Sequence, residues 1–363
     1  MIDFIPIASY SPLYNYILLI VVLLTFFHTQ VLQVNSQENV SFIRVAGFFV
    51  LIFVLVYMGL RPINGVFLDM MTYNRRFERF ERFGALVLDN PTDYFFDIFT
   101  LICSRIMTAQ MYFFTCAALY VVPLWIASKK WFGNYFYYAF LLLVSSFTFW
   151  NFGTNGIRNG IASSLFILAL SRDKRIWQIV WIIVAINFHK SMMLPAAGFA
   201  LANIYNQPKH YLWFWLICIP LSLTFGTVFQ GLFAGFMAEE RSSYLTDEVS
   251  SSSFSSVGFR WDFLVYSATA VYAGWVYIFK KDFKDQYYNI LFSTYLLSNA
   301  FWILVIRANF SNRFAYLSWF MMAIIIIYPL LKKEFLIQQH RVIGIVVIFY
   351  FLFTFIMNVI LVK

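Results

Sequence analysis

The chain has 363 residues, of which 61% are hydrophobic and 12% charged, with a mean hydropathy of +0.73 and a formal net charge of +9. Ordinary soluble domains carry roughly 25% charged residues, so this composition excludes a soluble enzyme and makes the bilayer the solvent. Because the apolar stretches are long and continuous rather than alternating, a β-barrel is excluded as well.

Hydropathy predicts an all-α polytopic membrane protein of about twelve spans of about 20 residues each. They fall near 13–34, 42–60, 110–127, 134–151, 156–171, 176–188, 192–206, 211–231, 259–279, 287–306, 314–331 and 342–362. Residues 1–16 hold no Lys or Arg, so the first apolar run is expected to stay as a span rather than leave as a signal peptide. The chain reads as one transmembrane domain, 1–363, with extracytoplasmic loops near 61–91 and 232–258. Segment 92–108 is apolar but carries Asp93, Asp97 and Arg105. A charge at the bilayer centre costs about 2.5–3.5 kcal/mol on insertion scales, so this segment reads as interfacial or re-entrant. If it crossed, 61–91 would change sides.

Cysteines Cys103, Cys116 and Cys218 stand at unrelated spacings in apolar surroundings and read as packing residues, not a disulfide framework or a zinc site. Histidines His28, His210 and His340 are scattered and show no metal-ligand spacing. There is no Walker A or GxGxxG loop and no DxD pair for a nucleotide sugar. Asp282 and Asp285 lie in a basic loop and read as solvated charge. Neither a metal nor another cofactor is expected, and the aromatic content of 22% suits sugar stacking and membrane belts equally.

The positive-inside rule sets the orientation. Lys129-Lys130, Arg172 to Arg175, Lys209-His210, Lys280-Lys281 with Lys284, and Lys332-Lys333 fall on one side, the cytoplasm. Lysine is nearly confined to that side. The opposite side carries Arg61, Arg75, Arg76, Arg79, Arg82, Arg158, Arg241, Arg260, Arg307 and Arg313. A guanidinium fork binds phosphate bidentately and stays charged, so outer arginines fit a diphosphate headgroup; the plainer reading is snorkelling anchors. For Arg75, Arg76, Arg79 and Arg82, interleaved with Glu78 and Glu81, an amphipathic interfacial helix with i,i+3 and i,i+4 pairs is the preferred reading.

Four stretches could carry chemistry. Gly156-Ile157-Arg158-Asn159-Gly160 sets an arginine at the outer start of a span, where helix amides favour an anion; its glycines also suit helix packing. His189, in Phe188-His189-Lys190-Ser191, could take a proton from a sugar hydroxyl or be an interfacial histidine bonded to a carbonyl. Polar stretch 236–258, long enough for a lid, holds Arg241 and Tyr244. Arg307 and Arg313 flank the entry to span 314–331.

Taken together, Arg61-Pro62, Asp69 followed by Tyr73, the block around Arg158, Phe188-His189-Lys190-Ser191, and Arg313 with Tyr316 resemble the EpsG family of bacterial exopolysaccharide proteins, close to Wzy-type polymerases. The resemblance runs from about 57 to 320. Two positions depart from the pattern: Phe67 stands where a glycine is common before the aspartate, and only Asp89 or Asp93 could replace a glutamate after the first outer loop. The resemblance implies a membrane glycosyltransferase, with a GT-C-like architecture compatible, that joins undecaprenyl-diphosphate-linked repeat units outside the bacterial cytoplasmic membrane. It implies His189 or Asp69 as the base. Arg158, Arg241 and Arg313, supported by Arg61 and Arg307, would hold the diphosphate, and Tyr73 and Tyr244 the substrate. A polysaccharide chain-length regulator is an expected partner. The positive charge suits anionic membrane lipids and does not call for nucleic acid. Rival readings are a ligase or single-addition transferase, a lipid-linked oligosaccharide flippase or exporter, and a structural membrane subunit.

Overall fold

A computed structural model describes residues 2–84, 93–234, 258–308 and 311–361. Among these the chain is 83% helical without strands. Seven described helices are long and apolar enough to cross a membrane: Ile7–Val31, Gln37–Gly59, Ala109–Val144, Pro208–Phe233, Trp261–Lys280, Asn312–Lys332 and Gln339–Ile360. Backbone packing divides the chain into two units, Met1–Met192 with Leu330–Lys363, and Met193–Pro329.

In the first unit, α1 (Tyr10–Val31) shows how apolar pattern becomes packing. Tyr10, Tyr14, Leu18, Val22, Thr25 and Thr29 form one buried stripe at three- and four-residue spacing, while Ile20, Leu24 and Phe27 are exposed. A helix apolar on its outer face as well has no aqueous role, so that face meets lipid. α2 (Gln37–Gly59) begins where Ser36 Oγ accepts the Asn39 amide at 3.1 Å, a side-chain cap on its first turn.

α5 (Ala109–Phe132) and α6 (Phe136–Val144) follow the expected order, but the predicted span 134–151 is broken. Its chain turns at 145–148 and resumes as the short α7 (Phe149–Thr154). α8 (Ile157–Leu170) is buried on every side from Gly160 onward. It has 14 residues, about 21 Å at 1.5 Å per residue, as does α9 (Arg175–Phe188). Both fall short of a hydrocarbon core of about 30 Å. Protein rather than lipid surrounds α8, which is how a short helix is tolerated at membrane depth.

The segment 60–108 is decided by its ends. Gln110 Nε2, at the start of α5, donates to the carbonyls of Gly59 and Arg61 at 3.0 and 3.2 Å. The last residue of α2 and the first turn of α5 therefore sit together, so the chain between them leaves and returns on one side. Within it, α3 (Met70–Phe83) is the expected amphipathic helix: it buries Met70, Tyr73, Asn74, Phe77 and Phe80 and exposes Arg75 and Arg82. α4 (Tyr94–Ile106) has 13 residues, about 20 Å, and turns back alongside α3. One expectation changes: Arg76 reaches across to Asp97 of α4 at 2.5 Å instead of pairing along its own helix, and Glu78 accepts from Asn74.

At the opposite end of this unit, His28 and His340 come together although 312 residues apart in number would not suggest it. Asn39 Oδ1 lies 3.0 Å from His28 Nε2 and 2.8 Å from the Tyr138 hydroxyl, which is 2.6 Å from His340 Nε2. This buried network ties α1, α2, α6 and the helix Gln339–Phe355. All three cysteines are buried and free.

The second unit holds helices Met193–Ile204, Pro208–Ala234, Trp261–Trp275, Gln286–Leu304 and Asn312–Trp319. Expected span 211–231 bends at Phe225, and expected span 314–331 is present as the apolar stretch Asn312–Lys332, with a turn at 320–321 between Asn312–Trp319 and Met322–Lys332. Its centre is a closed polar cluster. Asn299 accepts from Trp215 Nε1 at 2.8 Å and donates to Ser267 and Ser318 at 3.2 and 2.9 Å, while Trp319 Nε1 donates to Ser267 at 2.6 Å. Both indole N–H groups and both amide hydrogens of Asn299 find acceptors, which burial in a medium without water favours.

The glycines of α8 serve packing. A Cβ at Gly160 would stand 2.6 Å from the Phe152 carbonyl oxygen, a backbone atom that cannot swing away. Gly160→Ala is expected to cost about 1–3 kcal/mol through overpacking. Gly231→Ala, where an added Cβ meets nothing within 4 Å, should leave stability unchanged. Thermal unfolding of the two variants in detergent checks this, and equal midpoints would refute the packing role.

Candidate functional site

One end of the first unit gathers charged side chains that the sequence scatters. Arg158 sits in the first turn of α8, after Gly156 ends the preceding turn. Its Nη1 lies 2.8 Å from Asp93 Oδ2, and Asp93, at the start of α4, is 1% exposed. The guanidinium carbon of Arg158 stands 5.9 Å from the centre of the Tyr73 ring of α3. Burial pushes the Tyr73 hydroxyl above its usual range against the pull of Arg158. Arg158 Nε is buried and makes no hydrogen bond.

The other oxygen of Asp93 faces a different element. Its Oδ1 accepts the backbone N–H of Lys190 at 3.4 Å. The residue before it, His189, ends α9 in an extended conformation with Nδ1 2.5 Å from Ser191 Oγ. One carboxylate thus joins the arginine of α8 to the histidine turn after α9. Asp97, also 1% exposed, adds the Arg76 bridge, and burial raises its carboxyl pKa although Arg76 opposes the rise.

Beside this group, Arg61 is 1% exposed. Its Nη1 donates to Met58 O at 2.5 Å and its Nη2 to Thr154 O at 3.4 Å; its Nε has no partner. Phe67 and Phe113 lie 5.5 and 5.7 Å from its guanidinium carbon. Burial pushes its pKa down to about 10, which leaves it charged at neutral pH. The exposed Asp69 is held by its backbone N–H, which donates to Asn155 Oδ1 at 3.0 Å. A cavity of about 200 Å³ opens here, lined by Phe67, Trp150, Asn151, Thr154 and Asn155 among others.

Of the residues singled out in the sequence, Tyr73, Arg158 and the His189 turn meet around Asp93, and Arg61 and Asp69 lie on the flanking elements of the same unit. Arg307 and Arg313 belong to the second unit, both exposed. Arg241 and Tyr244 lie outside the described residues. The residues that sequence reasoning undervalued are Asp93 and Asp97. Their signal was present: carboxylates in a stretch otherwise apolar enough to meet a membrane need buried partners.

The model of the EpsG family matches residues 44–362. The chain belongs to the EpsG family. That makes it a membrane protein of polysaccharide biosynthesis. No curated protein and no solved structure matches the chain.

The Arg76–Asp97 bridge of this EpsG-family protein permits a stability test. Burial raises the Asp97 pKa in the fold, so its charge weighs against folding at neutral pH. That cost disappears as pH falls through the folded pKa toward the unfolded value of about 4. Arg76→Ala removes the compensating charge and should destabilise by about 3 kcal/mol at pH 7. The deficit should shrink on acidification, because a protonated carboxyl needs no cation. Unfolding followed at pH 7 and pH 5 measures it; a deficit equal at both values would sink the explanation.

Proposed function

We propose that this EpsG-family protein is a Wzy-like polysaccharide polymerase. It would join undecaprenyl-diphosphate-linked repeat units at the extracytoplasmic face of the bacterial cytoplasmic membrane. The observation that carries the reading is the constellation of Arg158, Tyr73 and the His189 turn around one buried carboxylate, on the side of the chain away from its lysine loops.

The chemistry follows from what such a transfer needs. An acceptor sugar hydroxyl attacks the anomeric carbon of the donor, the bond from that carbon to the diphosphate oxygen breaks, and undecaprenyl diphosphate leaves with the bonding electrons. Negative charge grows on the diphosphate, and a fixed guanidinium at a helix start stabilises it where it develops. Arg158 has that place. The hydroxyl proton passes to a base, for which His189 is the candidate and Asp69 the second. Arg61 sits deeper and supports the electropositive floor. We assign Arg241, Arg307 and Arg313 to further contacts with the diphosphate, and Tyr73 and Tyr244 to the glycan. A lipid-borne donor explains why nucleotide motifs are missing, and guanidinium groups take the neutralising role without a cofactor. A chain-length regulator would act on the same product.

This reading keeps about twelve crossings, with short helices such as α8 and α9 shielded by their neighbours. A transferase adding one unit, a ligase moving one block and a flippase forming no bond would share the arginines, so the product decides. Purified protein in nanodiscs, given lipid-linked repeat unit without nucleotide, should yield a ladder spaced by one repeat. Arg158→Ala should abolish it. Because that change strands Asp93, Arg158→Lys is the companion: it keeps the charge, loses the fork, and should cut turnover by about 10- to 100-fold in a folded protein. Full-length polymer from both variants would remove Arg158 from the reaction, and transport without a new glycosidic bond would replace the polymerase reading.

A further inference from the structure

Asp93 is costly where it stands. A carboxylate that is 1% exposed gives up its hydration, and a buried ion pair seldom repays that loss as stability. The arrangement of its two oxygens offers a better reason for its presence. Oδ2 meets Arg158 Nη1 at 2.8 Å, and Oδ1 meets the Lys190 amide at 3.4 Å. These contacts lie on separate elements, α8 and the turn after α9, and that amide follows the His189 carbonyl directly. The carboxylate fixes the guanidinium by charge and direction and the histidine turn through its backbone.

Taking the polymerase reading as its basis, we infer that Asp93 is the positioning residue of the site: it holds the Arg158 guanidinium and the His189 turn at a fixed separation through the two oxygens of one carboxylate. It touches neither sugar nor diphosphate in this role. With one edge of Arg158 occupied by Asp93 and the Tyr73 ring alongside, the guanidinium cannot rotate freely. Such a group stabilises developing charge without reorganising at the moment of reaction. The negative charge of Asp93 also weakens ground-state binding of a diphosphate, since like charges repel. Its benefit therefore falls on turnover and not on affinity.

The other charged side chains near it fit this division of work. Arg76 is committed to Asp97, and Arg158 is a cation that Asp93 directs. Lys190 contributes its backbone, and its side chain is exposed, so Lys190→Ala preserves the contact that matters.

The test compares Asp93→Asn and Asp93→Glu with wild type in nanodiscs. Two readouts are needed: steady-state polymerisation of the lipid-linked repeat, and direct binding of undecaprenyl diphosphate by calorimetry. Asp93→Asn keeps the size and an acceptor but removes the charge. It should lower kcat by about 10- to 100-fold, the range expected for a misplacement of about 1 Å, while KM stays level or falls and the lipid diphosphate still binds. Asp93→Glu keeps the charge but shifts Arg158 by one methylene; it should turn over more slowly than wild type at unchanged affinity. If Asp93→Asn does not insert, Asp93→Glu carries the test alone. Wild-type kcat in the folded variants, or a loss that lies entirely in KM, overturns the assignment. Wild-type protein that binds no lipid diphosphate and makes no polymer fails the polymerase reading itself. Wild-type protein that does both, beside Asp93 variants that match it, fails only Asp93.

Discussion

A charge placed away from water must meet a fixed partner, and this single constraint organises the packing of α3, α4 and α8 in the first unit. Asp93 and Asp97 are both 1% exposed. Each is reached by an arginine from a different helix, Arg158 of α8 and Arg76 of α3. The Arg76–Asp97 bridge ties α3 to α4 and the Arg158–Asp93 bridge ties that hairpin to α8, and Gln110 closes the same hairpin at its base by bonding the carbonyls of Gly59 and Arg61. Without the bridges, two carboxylates would be left in apolar surroundings, where each unpaired charge costs several kcal/mol.

The same constraint has a different solution in the second unit. There neutral groups meet neutral groups: Asn299, Ser267 and Ser318 exchange hydrogen bonds with each other and with two indole N–H groups. Such a cluster pins helices without carrying net charge, so it suits a structural centre. The charged constellation around Asp93 costs more, because each buried charge gives up its hydration and needs a fixed partner in return.

Arg61 stands between these cases. It is as buried as the carboxylates, yet its contacts are carbonyls and aromatic rings, Met58 O, Thr154 O, Phe67 and Phe113. Partial negative charge from carbonyls and ring faces offsets its desolvation in part, and burial accordingly lowers its pKa to about 10.

Composition by itself determined the class of this protein, because 61% hydrophobic residues with 12% charged have no stable arrangement in water. Hydropathy located most helices, and the periodicity of α3, with apolar residues at Met70, Tyr73, Phe77 and Phe80, foretold its amphipathic face. Sequence also singled out Arg158, His189 and Arg61, since a charge or imidazole beside an apolar run is conspicuous, and the family resemblance added Tyr73 and Asp69. It did not show the break in span 134–151, because apolar residues on both sides of a turn read as one continuous run. Nor did it show how the charges pair. Local spacing favoured Glu78 and Glu81 as partners along α3, whereas Arg76 pairs with Asp97 and Arg158 with Asp93. Pairing across 21 and 65 residues depends on which helix ends the packing brings together, and that is a property of the tertiary structure alone.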